Sequence, residues 1–237
     1  MNILAFDTCF DGCSVCVAQM RGEARADTVV ELASAFERFE TGHAERLVPM
    51  IGEAMERAGL DFHEIDRIAV TVGPGTFTGM RIGVAAARGL ALATGAALVG
   101  ASSLAVMAEV ATRELGTGNA GDLAIAVDAR RGEVYVQLFG VGGLDAKSLP
   151  AVLSIAEAAR IGDGGPLVIA GSGAAAVAAA AASEGRQVTA CLPDLLPDAR
   201  ALAHMAAVLD TVEGPLLPLY LRPPDAKPQV GKAVARA

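Results

Sequence analysis

Hydrophobic residues in the first hundred positions follow strand-like and helix-like spacings in turn. Residues 2–6 and 13–18 are apolar or β-rich runs on either side of a turn through Gly12, which predicts a hairpin. Residues 67–73 form a nearly continuous apolar run, which is typical of a strand covered on both faces of a sheet. Residues 96–101 predict a further strand.

Helices are predicted where apolar side chains recur every three or four residues. The first lies within residues 41–60, after a polar stretch at 19–40 that predicts no regular element. Its apolar stripe consists of Leu47, Met50, Ile51, Ala54, Met55 and Ala58. Gly59 is the predicted end, and Pro49 predicts a kink or a restart, because proline removes one backbone hydrogen bond. Residues 102–115 predict a later helix.

The same order of elements begins again after residues 116–122, a glycine-containing segment that predicts a linker. A strand ends in Asp128 and a turn through Gly132 leads to a second strand, as Asp7 and Gly12 do in the first half. The aspartates lie 121 positions apart and the glycines 120 (128 − 7 and 132 − 12). A strand, a Gly-x-Gly turn and an alanine-rich helix then follow in both halves. We interpret this pattern as an internal duplication of a unit that contains a βαβ motif.

The glycine turn between the strand at 67–73 and the next helix stands where backbone amides often hold a phosphate. It matches neither standard motif, because no Lys follows Thr78 and Gly79 is one position late for a dinucleotide fingerprint. Two interpretations stay open: contact with a nucleotide, or a sharp turn that lets the helix pack closely. Asp7 and Asp128 either hold a metal-bound phosphate across a shared cleft or cap turns. The candidate nucleotide contacts are Asp7, Thr8, Gly73, Gly75, Thr76 and Asp128.

The helix after this turn carries mostly small residues between Gly83 and Ala93. Glycine inside a helix costs about 0.5–1 kcal/mol relative to alanine. Gly83 and Gly89 therefore predict a close helix–helix contact, either within the fold or across a subunit boundary. A short final helix is predicted over 198–212 with Asp198 as its N-cap.

Composition narrows the function classes. The 237 residues carry a net charge of −8, whereas a protein that binds nucleic acid alone usually shows a basic face. No apolar run is long enough to span a membrane. The start of the chain lacks a basic segment and reaches Asp7 at once, so we expect no signal peptide, a cytoplasmic location and reduced cysteines.

Two kinds of metal site are disfavoured. Cys9, Cys13 and Cys16 have the spacing that holds a four-iron cluster in radical enzymes, but Cys13 and Cys16 are predicted on opposite faces of one strand. We therefore expect buried thiols. The three histidines show no ligand spacing, and His43, at the start of a helix, is expected at a surface or a contact.

The chain resembles the bacterial TsaB (YeaZ) family of tRNA threonylcarbamoyladenosine biosynthesis from residue 1 to about 222. The resemblance rests on "ILAFDTCFDGCSVCV", "GHAERLVPMI", "GPGTFTGMRIGVAAARGLAL", "DARRGEVY" and "PLYLR". Thr76 replaces the usual serine, and the extra cysteines are unusual. The resemblance implies an α/β fold of the actin/hexokinase/Hsp70 (ASKHA, RNase H-like) superfamily with two duplicated lobes. Their expected extents are residues 1–100, completed by part of 198–222, then 101–197, and a basic tail at 223–237.

The resemblance also implies a role. The catalytic relative, TsaD, carries a His-x-x-x-His metal motif, and the matching region here, 100–111, has no histidine. The expected function is a non-catalytic subunit that pairs with TsaD, is joined by the ATPase TsaE, meets tRNA only through the complex and forms a homodimer when alone. No cofactor of its own is expected, although ATP or ADP can enter with the complex. The implied partner interface comprises His43, Leu47, Met50, Ile51, Ala54, Arg81, Ile82, Ala85, Ala86 and Gly89.

Other function classes are a free-standing nucleotide-binding ATPase of the same fold, a metallo-glycoprotease, and the iron–sulfur enzyme disfavoured above. Turnover of ATP by the pure chain would favour the first, and bound zinc or iron the others.

Overall fold

The computed structural model describes residues 1–22, 28–116, 121–140, 142 and 145–222. The first half of the chain contains β1 (Asn2–Asp7), β2 (Gly12–Met20), β3 (Val29–Arg38), α1 (His43–Ala58), β4 (Arg67–Gly73), α2 (Phe77–Thr94), β5 (Ala97–Ser102) and α3 (Ser103–Leu115). The second half contains β6 (Asp122–Asp128), β7 (Glu133–Phe139), β8 (Ala151–Ser154), α4 (Ile155–Ala158), β9 (Leu167–Ala170), α5 (Ala174–Ser183), β10 (Thr189–Cys191) and α6 (Ala199–Ala206).

The two halves have the same topology. The first sheet has the order β3-β2-β1-β4-β5, and the second has the equivalent order β8-β7-β6-β9-β10. In both, the first strand pairs antiparallel with the second and parallel with the fourth. The predicted duplication and the two-lobe α/β fold are therefore confirmed.

Strand β3 was not predicted from the sequence. It pairs antiparallel with β2 along the edge of the first sheet, and most of its residues are partly or fully exposed. An edge strand covered on one face only has few apolar positions, so its pattern resembles that of a polar loop. Strands β8 and β10 and helix α4 were missed because they have only three or four residues.

Helix α1 begins and ends where the sequence predicts. Gly59 adopts a left-handed conformation (φ 66°) as its C-cap, which glycine does without a steric penalty. The helix continues unbroken through Pro49, so the predicted restart is wrong. Pro49 lies on the exposed side of the helix.

Layers of helices cover both sheets. Helices α1 and α2 pack on one face of the first sheet, around Leu4, Phe6 and Val70. The other face packs against α6. Cys13 and Cys16 belong to these two opposite clusters, as their odd spacing predicts. The tail at 223–237 and most of the predicted linker lie outside the described residues. No helix in the described part of the chain is long and apolar enough to span a membrane.

Candidate functional site

A cleft of about 1160 Å³ separates the two sheets at the carboxyl ends of their parallel strands. This is the edge at which open α/β sheets usually bind ligands. One wall consists of the β1–β2 turn and the glycine turn before α2, and the other of the β6–β7 turn. Of the predicted nucleotide contacts, Gly75, Thr76 and Asp128 line this cleft.

Asp7 ends β1 but lies inside the protein, with 1% of its surface exposed. Its Oδ1 accepts hydrogen bonds from the Thr71 hydroxyl and from the Cys9 amide, the latter at 3.2 Å. Burial raises the pKa of the Asp7 carboxyl from 3.8 to about 7, against the lowering effect of these two hydrogen bonds. The carboxyl group is therefore part of the core, and its predicted contact with a nucleotide would need this burial to be opened.

The glycine turn packs directly against residues 8 and 9. The Thr8 hydroxyl donates to the Gly79 carbonyl at 2.7 Å, and the Thr76 amide donates to the Cys9 carbonyl at 2.6 Å. A Cβ atom on Gly75 would lie 2.3 Å from the Cys9 oxygen, and one on Gly79 only 1.9 Å from the Thr8 oxygen. The turn therefore exists for close packing, the second of the two interpretations.

Side chains and backbone of the chain itself occupy part of the start of α2. The Thr76 side chain already caps the helix by accepting from the Gly79 amide at 3.1 Å. Thr8 and Gly73 are buried like Asp7. Asp7, Thr8 and Gly73 thus do not line the cleft, whereas Gly75 and Thr76 do, and nucleotide contact at this turn stays a prediction.

Asp128 occupies the equivalent position of the second lobe and is exposed. Its Oδ1 accepts from the Arg130 amide at 2.8 Å, and its own amide donates to the Ser172 hydroxyl at 3.0 Å. Asp128 therefore caps the β6–β7 turn, the second of the two roles considered for it.

Half of the residues in the predicted partner interface are buried inside the chain. The α1 residues His43, Leu47, Met50, Ile51 and Ala54 are all buried against the first sheet or the β1–β2 turn. His43 Nε2 also lies 2.8 Å from the Phe10 carbonyl, its hydrogen-bond acceptor. An apolar stripe marks the inward face of a helix, because the protein's own core is what that stripe covers.

The predicted residues of α2 lie on its outer side. Arg81, Ala85 and Gly89 are exposed, and Ile82 and Ala86 are half-buried. The outer side of α1 carries Val48, Pro49 and Gly52, with Val48 65% exposed, and α2 adds Leu92, which is 89% exposed. We call this outer surface of the two adjacent helices the helical face; it comprises Val48, Pro49, Gly52, Ala85, Gly89 and Leu92.

Two glycines of the helical face have no internal explanation. A Cβ atom on Gly52 or on Gly89 would meet no atom of the described residues within 4 Å. Gly83 differs, because its Cβ would lie 2.7 Å from the Thr8 hydroxyl. Glycine in an exposed helix interior costs about 0.5–1 kcal/mol, and no contact among the described residues offsets that cost at Gly52 or Gly89.

Sequence reasoning missed the contacts that Tyr220 and Arg222 make near the end of the described chain. Arg81 lies over the Phe77 ring at 3.6 Å, and its Nε donates to the Tyr220 hydroxyl at 2.7 Å. Arg222 binds the β6–β7 turn. These two residues belong to the "PLYLR" motif at 218–222, which the family resemblance had already pointed out. Across the described residues, no three His, Cys, Asp or Glu side chains are arranged to hold a metal ion.

Comparison with known sequences gives a consistent assignment. Residues 37–195 match the family model described as TsaD: tRNA N6-adenosine threonylcarbamoyltransferase. The tRNA threonylcarbamoyladenosine biosynthesis protein TsaB of Escherichia coli is 38% identical over 135 residues. That match covers 57% of this chain and about half (53%) of the relative. An uncharacterized protein of Mycobacterium tuberculosis is 33% identical over 96% of this chain and 94% of its own length.

Comparison with solved structures extends the match over nearly the whole chain. YeaZ from Pseudomonas aeruginosa is 32% identical and superposes with a TM-score of 0.74, over 93% of this chain and 99% of that one. A further structure, of a protein from the same organism with similarity to peptidase YeaZ, gives a TM-score of 0.76. The chain therefore belongs to the TsaB (YeaZ) family.

Proposed function

We propose that this protein acts in the biosynthesis of threonylcarbamoyladenosine in tRNA as a non-catalytic subunit that binds a TsaD protein through the helical face. The role of its TsaB relatives in tRNA threonylcarbamoyladenosine biosynthesis and the match to the TsaD family model support the pathway. In this proposal TsaE and tRNA meet the protein only in the complex, and the same face forms the homodimer when TsaD is absent.

The open glycines of the helical face carry the proposal. Gly52 and Gly89 leave the backbones of α1 and α2 bare on the outside, so a helix of a partner can approach both closely. Leu92 and Val48 supply apolar surface beside them. Burial of a fully exposed leucine side chain stabilises a contact by roughly 1.5–3 kcal/mol. The proposed interface thus combines close backbone approach with two apolar side chains.

The close packing of the glycine turn against residues 8 and 9 supports a non-catalytic role for the chain itself. Two amides of the turn are already used within the chain, since the Thr76 amide donates to the Cys9 carbonyl and the Gly79 amide donates to the Thr76 side chain. The proposed contribution is to hold TsaD in its active arrangement. ATP or ADP belongs to the assembled complex in this proposal, and the isolated chain requires no cofactor.

Binding to TsaD from the same organism tests the proposal. We expect Leu92→Glu to abolish the heterodimer in isothermal titration calorimetry, because it places an unpaired charge in a buried contact. Val208→Glu is the matched control, since Val208 is 55% exposed but lies beyond α6. Both variants should keep the wild-type circular dichroism spectrum. Undiminished binding by Leu92→Glu, or saturable ATP hydrolysis by the pure protein, would refute the proposal.

A further inference from the structure

The segment 210–222 runs along the first lobe without forming a regular element. The Val212 amide donates to the Leu98 carbonyl at 2.8 Å, and the Leu219 amide donates to the Val72 carbonyl at 2.7 Å. Between them, Leu216 is buried in the core beneath α1 and α2. The segment is therefore fixed to strands β4 and β5 before it reaches the cleft.

Its last residue crosses to the second lobe. Arg222 Nη1 donates to the Ala129 carbonyl at 2.5 Å, its Nη2 lies 3.4 Å from the Arg130 carbonyl, and the guanidinium forms an ion pair with Glu133. The guanidinium also lies 5.7 Å from the ring centre of Tyr135. One side chain thus contacts several groups of the β6–β7 turn.

The turn that receives Arg222 has an unusual backbone. Arg130 and Arg131 have φ values of 65° and 60°, in the left-handed region that side chains with a Cβ disfavour. This conformation directs the Ala129 and Arg130 carbonyls to Arg222. Strained backbone of this kind persists where surrounding contacts require it, and Arg222 supplies such contacts.

Tyr220, near the end of the segment, contacts the start of α2. Tyr220 accepts a hydrogen bond from Arg81 Nε at 2.7 Å, and its ring lies 5.2 Å from that of Phe77. The Arg81 guanidinium lies 3.6 Å from the centre of the Phe77 ring and 5.7 Å from that of the Tyr220 ring. Tyr220 and Arg222 are only two positions apart, so α2 and the β6–β7 turn are bound by one short piece of chain.

Contacts at the floor of the cleft differ from those at its mouth. The floor is an apolar cluster that includes Phe10, Met80 and Leu104 from the first half and Ile125 and Val127 from the second. Such a cluster joins the lobes but does not by itself fix the angle between them. At the mouth, two arginines make polar contacts across the cleft. Arg222 donates to the Ala129 carbonyl, and Arg38 donates to the Asp194 carbonyl at 2.7 Å.

We propose that residues 210–222 form an interlobe clasp, in which Arg222 sets the angle between the lobes and Tyr220 couples that angle to α2 and hence to the helical face. Arg222 and Tyr220 are positioning residues in this role. The first part, on the lobe angle, stands on the geometry alone. The second part, on the helical face, rests on the proposed function.

The lobe angle is measured by double electron–electron resonance between nitroxide labels on Glu45→Cys of α1 and Ala179→Cys of α5. Both positions are exposed, and Cys191→Ala removes the one native thiol that is not fully buried. We expect Arg222→Ala to move the distance distribution beyond the width of the wild-type one, and Arg222→Lys to have an intermediate effect. Arg160→Ala is the control, because it removes an arginine–glutamate ion pair, Arg160 with Glu184, that lies within the second lobe and away from the cleft.

A distance distribution that Arg222→Ala leaves unchanged would overturn the clasp. The coupling is tested by calorimetry with TsaD, where we expect Arg222→Ala to weaken binding about fivefold relative to Arg160→Ala. Equal affinities together with an altered distance would refute the coupling and keep the clasp. Failure of the wild-type protein to bind TsaD would count against the proposed function, and the distance measurement would still decide on the clasp.

Discussion

Asp7 and Asp128 end equivalent strands of the two lobes, yet their surroundings are opposite. Asp7 is buried and bonded to Thr71, whereas Asp128 is exposed and caps the turn before Arg130. In the first lobe, residues 8 and 9 fill the space against the glycine turn; in the second, the equivalent end opens into the cleft. Duplication has thus preserved the topology of the two lobes and not the chemistry at their strand ends.

The largest expected difference between the two aspartates is in the pH dependence of stability. The folded-state pKa of Asp7, about 7, lies above its ordinary value of 3.8. Between these values the folded chain keeps a proton that the unfolded chain has lost, so the free energy of unfolding falls as pH rises from about 4 to 7. The contribution of Asp7 is complete below the lower value and is lost above the upper one, by about 4 kcal/mol in total.

Asp7→Asn should remove this dependence and make the protein more stable than wild type at pH 8, since the amide oxygen can still accept both hydrogen bonds. Urea unfolding at several pH values measures the effect. Asp128→Asn is the control and should unfold like wild type, because its side chain is exposed. Parallel curves for wild type and Asp7→Asn across this pH range would contradict the assignment of a buried carboxyl.

A smaller effect separates the two glycine turns. A Cβ atom on Gly75 would lie 2.3 Å from the Cys9 carbonyl oxygen, so Gly75→Ala should lower the free energy of unfolding by about 3 kcal/mol. On Gly173, the equivalent turn residue, the nearest atom is a side-chain methyl of Val134 at 2.7 Å. We expect Gly173→Ala to cost about 1 kcal/mol, because a side chain can shift. Equal losses of unfolding free energy in chemical denaturation would mean that both turns are equally closely packed.

Hydroxyl partners of the two strand ends should differ by less. Thr71→Val removes a hydrogen bond to the buried Asp7 and should cost about 2 kcal/mol at pH 8. It should also raise the pKa of Asp7 further, since that hydrogen bond lowers it. Ser172→Ala removes the hydroxyl that accepts from the exposed Asp128 amide and should cost about 0.5 kcal/mol. A larger loss for Ser172→Ala in thermal unfolding would reverse the comparison.

The smallest effect is expected on the helical face. Gly89→Ala adds a methyl group that meets no atom of the described chain, so it should stabilise the monomer, measured at a concentration too low for the proposed homodimer, by about 0.5–1 kcal/mol. The same methyl group should weaken TsaD binding, because it would hold the backbone of α2 further from the helix of TsaD. Calorimetric unfolding and binding on the same sample check both signs. Stabilisation without any loss of binding would place the contact elsewhere.

The sequence was sufficient for the longer elements other than β3 and for the duplication. Both depend on local spacing, and the repeat of strand, turn and strand around Asp7 and Asp128 is visible in the chain itself. The hairpin, α1 with its end at Gly59, and the opposite faces of Cys13 and Cys16 follow from the same reasoning. Edge strand β3 escaped it, because a strand covered on one face only has a weak apolar pattern.

The site was harder to predict, because its features depend on residues far apart in the chain. The burial of Asp7 depends on Thr71, 64 positions away, and Arg222 meets the β6–β7 turn from 93 positions away. Periodicity found the apolar side of α1 but could not show that Leu47 and Ile51 face the core and not a partner. Gly89 was visible in the small-residue composition of residues 83–93, but only the structure separates it from Gly83, and Gly52 was not singled out.

Reconstitution of the modification most directly tests the claim that this chain contributes a binding surface and no reacting group. The measurement is the amount of threonylcarbamoyladenosine formed in tRNA by TsaD, TsaE and the carbamoyl-adenylate synthase. We expect no product without this protein, full product with wild type or Asp7→Asn, and none with Leu92→Glu. Full product with Leu92→Glu, or modification of tRNA by this protein alone, would contradict the account.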